Sequence, residues 1–193
     1  MSNEIKNVLI VGVGGQGTIL AAKILSEGLV FAGFDVKMSE IHGMAQRGGS
    51  VSTQIRYGEK VYSPLISEKT ADVILSFEKI EAARWLNYLK PEGYLIINDY
   101  EILPVPVLIG SQTYPSDIDK KIKEKVKNCF VIDAFSEAKK LGNTKVQNTL
   151  LLAVVIKKLG LEKIDWETVL RSQLSEKIAE LNIKAFQRGI QLA

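Results

Sequence analysis

The sequence is short of the residues that most often announce a chemistry. It holds one cysteine, Cys129, and one histidine, His42, in 193 residues. One cysteine excludes an internal disulfide framework. It also excludes an iron–sulfur cluster held by this chain alone, since such clusters take about four thiolates. No metal-ligand spacing, no Ser–His–Asp ordering and no G-x-x-x-x-G-K-[ST] loop occurs. Charge of one sign is lacking too: 25 basic against 22 acidic residues leave a net charge of +3. That balance speaks against a nucleic acid or a membrane surface as partner. The longest apolar run, Leu150 to Ile156, falls far short of the roughly 20 residues that span a bilayer. Met1 to Lys6 carry no basic stretch followed by a long apolar core, so no secretory signal is expected. The expectation is a soluble, cytoplasmic protein.

What is present is ordinary in amount and ordered in pattern. A hydrophobic fraction of 46% and a charged fraction of 24% are those of an average globular protein. With no repeat, low-complexity stretch or linker, one domain over residues 1–193 is expected. Val8-Leu9-Ile10-Val11 reads as a strand buried on both faces. Gly12 to Gly17 end it, and a helix follows to about Ala32 with Ile19, Ala22, Leu25 and Leu29 as its stripe. Gly33 stops that helix, and Phe34 to Met38 read as the second strand.

From Gly49 the period changes. Val51, Thr53, Ile55 and Tyr57 alternate with Ser52, Gln54 and Arg56, as in a strand with one wet face. Val61-Tyr62 are expected to return as the second arm of a hairpin. Buried strands follow at Asp72 to Phe77, Tyr94 to Ile97 and Phe130 to Asp133, with a short strand at Val107 to Ile109. The lysines at 120, 121, 123, 125 and 127 read as the wet face of a helix that buries Ile118, Ile122 and Val126. Beyond Ala134 only helices are expected, one of them capped by Asp165. The fold class expected is α/β: a three-layer, Rossmann-like, mostly parallel sheet with an antiparallel hairpin insertion and a helical C-terminal extension.

Two segments are candidates for chemistry. Gly12-Val13-Gly14-Gly15-Gln16-Gly17 matches G-x-G-x-x-G between a buried strand and a helix, the context in which backbone N–H groups and a helix dipole receive an anion. Close strand–helix packing is the plain alternative. A dinucleotide site would add an acid at the end of the second strand, and Glu40 is the one residue placed for it. The second segment is "HGMAQRGG". His42 is a candidate base or donor, Arg47 a candidate phosphate or carboxylate clamp, and Gly48-Gly49 a candidate anion nest. Glu78 and Asn143 are weaker candidates: Glu78 also reads as negative charge favourable at a helix start, Asn143 reads first as a helix cap, and Asn143 and Asn148 flank the start of the apolar helix. Cys129 is expected to be inert.

At these residues the chain resembles a known family. "GVGGQGTILAAKIL" followed by "SEIHGMAQRGGSVSTQIRYG" is similar to the gamma-type domain of the 2-oxoacid:ferredoxin oxidoreductases, and the likeness continues through "LGNTKVQNTLLLA" to "ELNIKAFQRG". His42 to Gln46 point to its arylpyruvate branch, the beta subunits of indolepyruvate enzymes. The resemblance implies a subunit of an enzyme that turns a 2-oxoacid and coenzyme A into an acyl-CoA and carbon dioxide while reducing ferredoxin. It implies thiamine diphosphate and iron–sulfur clusters in a large alpha subunit, none in this chain, and a hetero-oligomer. It implies further that Gly12, Gly14, Gly15, Gln16, Gly17, Arg47, Gly48, Gly49 and Asn143 serve coenzyme A. His42 and Gln46 would then stand near the reacting end. An autonomous nicotinamide-dependent oxidoreductase and a non-catalytic adaptor are the other readings the residues leave open.

Overall fold

A computed structural model describes residues 4–43 and 48–193. Strand β1 (Lys6–Val13) runs through the middle of a six-stranded sheet. Its other strands are β2 (Asp35–His42), β3 (Ser50–Gly58), β4 (Ala71–Ser76), β5 (Leu89–Asn98) and β6 (Cys129–Ile132), in the order β2-β3-β1-β4-β5-β6. β1, β4, β5 and β6 pair in parallel, and β3 is antiparallel to both of its neighbours. The unbroken apolar run of β1 has its cause in this position. Val8 and Ile10 enter the core on one face of the sheet, and Leu9 and Val11 enter the core on the other.

Helix α1 (Thr18–Phe31) covers the first face together with α5 (Ala134–Lys140) and α6 (Gln147–Lys158). Outside them lie α7 (Trp166–Gln173) and α8 (Glu176–Leu192), the expected C-terminal helices. The second face carries α2 (Lys79–Arg84) and α4 (Ile118–Lys125), which buries Ile118 and Ile122 and leaves its lysines in water. α1 ends at Gly33, whose φ is +88°. Phe34 N–H and Gly33 N–H return to the carbonyls of Leu29 and Val30, the paired bonds that close a helix on a left-handed glycine. All seven residues from Leu150 to Ile156 are buried, because α6 is enclosed by the sheet, α1, α5 and α8. Among the described residues no helix is long and apolar enough to cross a membrane.

The structure departs from expectation in five places. Val61-Tyr62 form no returning strand, because the Val61 N–H is taken by the Asp35 carboxylate at 2.8 Å. The hairpin is made of β2 and β3 instead. β3 has no wet face: Gln54 is 5% exposed and accepts from Ile66 N–H, while Arg56 donates to Asn7 and Ser63. Alternation had marked a polar face, and the segment after β3 covers it. Val107 to Ile109 are helical, in the single turn α3 (Val105–Leu108), where Pro104 presets the entry and its carbonyl receives Val107 and Leu108 N–H. Ile19 is 51% exposed, and the buried stripe of α1 runs through Ala21, Ala22, Ile24, Leu25 and Leu29. β2 extends to His42, so Glu40 lies inside that strand and not beyond it.

Candidate functional site

The carboxyl ends of β1, β4 and β5 meet the start of α6 around an open cavity of about 670 Å³. Its floor is the glycine loop. Gly15 and Gly17 both have positive φ, +99° and +81°, the left-handed region that favours glycine. A Cβ on Gly17 would also collide with the Asn148 amide. Gly12 has a different reason: a Cβ there would lie 2.8 Å from the Gln16 Oε1 and 3.0 Å from the Phe77 Cβ. Gly14 is engaged through its backbone. Its N–H donates to Gly49 O at 2.8 Å and its carbonyl accepts from Gly48 N–H at 3.3 Å. These two bonds join the two glycine segments that the sequence singles out.

Gln16 ties the loop together. Its Oε1 accepts from Val13 N–H at 2.7 Å, its Nε2 donates to Phe77 O at 3.0 Å, and its own carbonyl accepts from Asn148 Nδ2 at 2.9 Å. Its side chain is thus spent on structure, although Gln16 borders the cavity. Asn98 works in the same way at the end of β5, donating to Phe77 O and accepting from Ala134 N–H. Asn143 caps the turn before α6 by accepting from Lys145 N–H, and it does not border the cavity. Asn148, five residues on, does.

The site has the electrostatics of an anion receptor. α1 begins at Gly17 with no capping side chain and no acid in its first turn; α6 has no acid in its first turn either, but it continues the turn Thr144–Val146, which Asn143 caps and whose Thr144 carbonyl accepts Gln147 N–H. The starts of both helices border the same cavity, and so does the exposed Lys145. First-turn N–H groups have no partner inside a helix, and the helix dipole favours negative charge there. Leu20, Phe77, Tyr100 and Ile102 supply the apolar wall. Apart from glycine loop residues, the lining residues were missed in the sequence, since nothing local marks them as neighbours of that loop. Spacing had isolated Asn148 but assigned it nothing.

Other candidates stand elsewhere. His42 ends the exposed edge strand β2, with β3 between it and β1, and its Nδ1 lies 3.0 Å from Gly43 O. Gln46 and Arg47 lie outside the described residues. Glu40 is on β2, likewise separated from β1 by β3. Glu78 caps α2 by accepting from Glu81 N–H. Cys129 is half-buried, and burial pushes its thiol up, which leaves less of the reactive thiolate.

Comparison with known proteins places the chain in a family. Residues 7–192 match the family described as "Pyruvate ferredoxin/flavodoxin oxidoreductase". The chain is 39% identical over 192 residues to the "Indolepyruvate oxidoreductase subunit IorB" of Pyrococcus horikoshii, covering 97% of this chain and 95% of that one. The protein of the same name from Archaeoglobus fulgidus is 33% identical over 189 residues, covering 95% and 92%. The gamma subunit of a keto/oxoacid ferredoxin oxidoreductase from Geobacter sulfurreducens shares the fold with a TM-score of 0.71, at 22% identity over 97% of this chain and 98% of that one. So does a 2-oxoglutarate:ferredoxin oxidoreductase from Magnetococcus marinus, solved with 2-oxoglutarate, coenzyme A and succinyl-CoA bound. Its TM-score is 0.75 at 19% identity, over 100% of this chain and 31% of that longer one. With nearly its whole length matched, the chain belongs to the pyruvate ferredoxin/flavodoxin oxidoreductase family.

Proposed function

We propose that this chain is the small subunit of an indolepyruvate:ferredoxin oxidoreductase and that its cavity holds the phosphates of coenzyme A in the complex. The observation that carries the reading is the convergence of the uncapped N-terminus of α1, the start of α6 and Lys145 on one cavity. Coenzyme A has a diphosphate and a further phosphate, which suit two dipoles and a cation. The neighbouring apolar wall suits the rest of the molecule. Relatives named as subunits of indolepyruvate oxidoreductase supply the substrate class. In such an enzyme thiamine diphosphate and iron–sulfur clusters supply the decarboxylation and the electron path to ferredoxin. The donor set of this chain does not fit a cluster: it has one cysteine, and the described residues include no group of three or more candidate ligands. Those groups belong, in this reading, to a large alpha subunit.

The role of this chain is to bind and to orient. Gly15, Gly17 and Lys145 hold phosphate. Arg47, next in the chain to the Gly48 that bonds Gly14, adds a second cation. His42 and Gln46 serve the reacting end or the subunit contact. A nicotinamide site is disfavoured, because β3 separates Glu40 from the glycine loop. The test is the reconstituted complex assayed by indolepyruvate- and coenzyme A-dependent dye reduction. Lys145→Ala and Arg47→Ala should each raise the Michaelis constant for coenzyme A about tenfold, the worth of one charge-assisted hydrogen bond. Unchanged constants in both variants would reject the phosphate site.

A further inference from the structure

Part of the cavity wall lies on residues 99–116, which follow β5 and contain α3. None of these residues is buried, and Leu103, Val105, Leu108 and Ile109 point into solvent. The segment therefore has little apolar burial of its own to hold it. Yet Tyr100 and Ile102 form part of the wall.

Polar bonds from one place hold this strap. Glu78, 1% exposed between β4 and α2, accepts Ile102 N–H at 3.3 Å and the Tyr114 hydroxyl at 2.9 Å on Oε1, and Glu81 N–H at 2.9 Å on Oε2. Three donors thus converge on one carboxylate. Next to it, Lys79 N–H donates to Tyr100 O at 3.1 Å, and the Lys79 ammonium pairs with Asp99 and Glu101. The preceding residue, Phe77, receives the Gln16 side chain on its carbonyl. Adjacent residues therefore grip both sides of the cavity: Phe77 the glycine loop, Glu78 the strap.

We propose that Glu78 is a positioning residue of this cavity: its buried carboxylate fixes Tyr100 and Ile102 as part of the wall, and so sets how tightly the cavity holds its ligand. The inference rests on coenzyme A as that ligand. Capping α2 is the structural role of the same side chain, and the two roles separate by atom. The cap uses Oε2 and the strap uses Oε1. Tyr114→Phe removes a strap bond and leaves the cap intact. Glu78→Gln keeps one oxygen and turns its NH₂ toward the donors at the other position, so it removes the charge from both roles and sets the amide against one of them.

The experiment pairs two readouts on the Tyr114→Phe and Glu78→Gln chains. Amide hydrogen exchange of residues 100–114 is followed in the free subunit, and steady-state kinetics in the reconstituted complex. Faster exchange across the strap is expected, with a Michaelis constant for coenzyme A raised about fivefold and unchanged kcat and indolepyruvate saturation. Should Glu78→Gln fail to fold, Tyr114→Phe decides alone. Unchanged exchange overturns the clamp. Faster exchange with unchanged coenzyme A saturation overturns the positioning role. A wild-type rate independent of coenzyme A strikes the proposed ligand instead, and the exchange data then still judge whether Glu78 holds the wall.

Discussion

Gln16 shows how a motif residue can be legible while its task is not. The G-x-G-x-x-G spacing marks it as part of an anion loop, but its side chain closes that loop by bonding Val13 N–H and Phe77 O. Gln16→Ala leaves both groups without partners, and the expected cost is about 1–3 kcal/mol. Urea unfolding measures it, and an unaltered midpoint would show that water replaces the amide without loss. Gly17 is bound by two constraints, its φ of +81° and the Asn148 amide beside it. Gly17→Ala should abolish coenzyme A saturation in the complex, whereas Gly48→Ala, with nothing near its Cβ among the described residues, faces chiefly the strain of its φ of +81°. Equal effects of the two variants would put the glycine requirement in the backbone alone.

Single elements carry their own boundary signals, and only some are legible in the sequence: Asp165 reads as a cap, Asp133 as the last residue of a strand. Asp133 caps α5 by accepting from Ser136 N–H, and Asp165 caps α7 by accepting from Thr168 N–H and its hydroxyl. The Ser136 side chain and N–H beside Asp133, and the Thr168 N–H and hydroxyl beside Asp165, hold both carboxyls below the ordinary aspartate value. A folded-state value below the unfolded one means stability that is complete above the ordinary range, about pH 4, and is lost as pH falls through the lowered values. Melting temperature should therefore decline on acidification in the wild type. The decline should be shallower in an Asp133→Ala, Asp165→Ala double variant, which is already less stable at neutral pH. Parallel curves would assign the acid limb to other carboxylates. What each element faces was less readable. β3 alternates as a half-wet strand should, and yet Thr53 is buried on one face and Gln54 on the other.

Across the whole molecule, α6 is the hub. It lies between the sheet and α8, and the two helices approach closely at Gly189, where a Cβ would strike the Leu150 carbonyl. Gly189→Ala forces α8 away, and overpacking of this kind costs about 1–3 kcal/mol. The melting temperature of the isolated chain reads it. A fall together with raised coenzyme A saturation in the complex would mean that α8 also steadies the start of α6 at the cavity. A fall alone would confine α8 to stability.

The sequence by itself determined the alternation of strands and helices, the glycine loop between β1 and α1, the cap at Asp165 and the motifs that mark the family. All of these are local, because turn chemistry, helix caps and apolar periodicity act over a few residues. Only the tertiary structure decided that β3 enters between β1 and β2, which takes Glu40 and His42 away from the glycine loop. It alone decided that Asn148 meets Gln16 across 132 residues of chain, and that the amino end of α6 with Lys145 borders the same cavity as the amino end of α1. Periodicity records which side of an element is buried. It does not record what buries it, and the cavity is made of those partnerships.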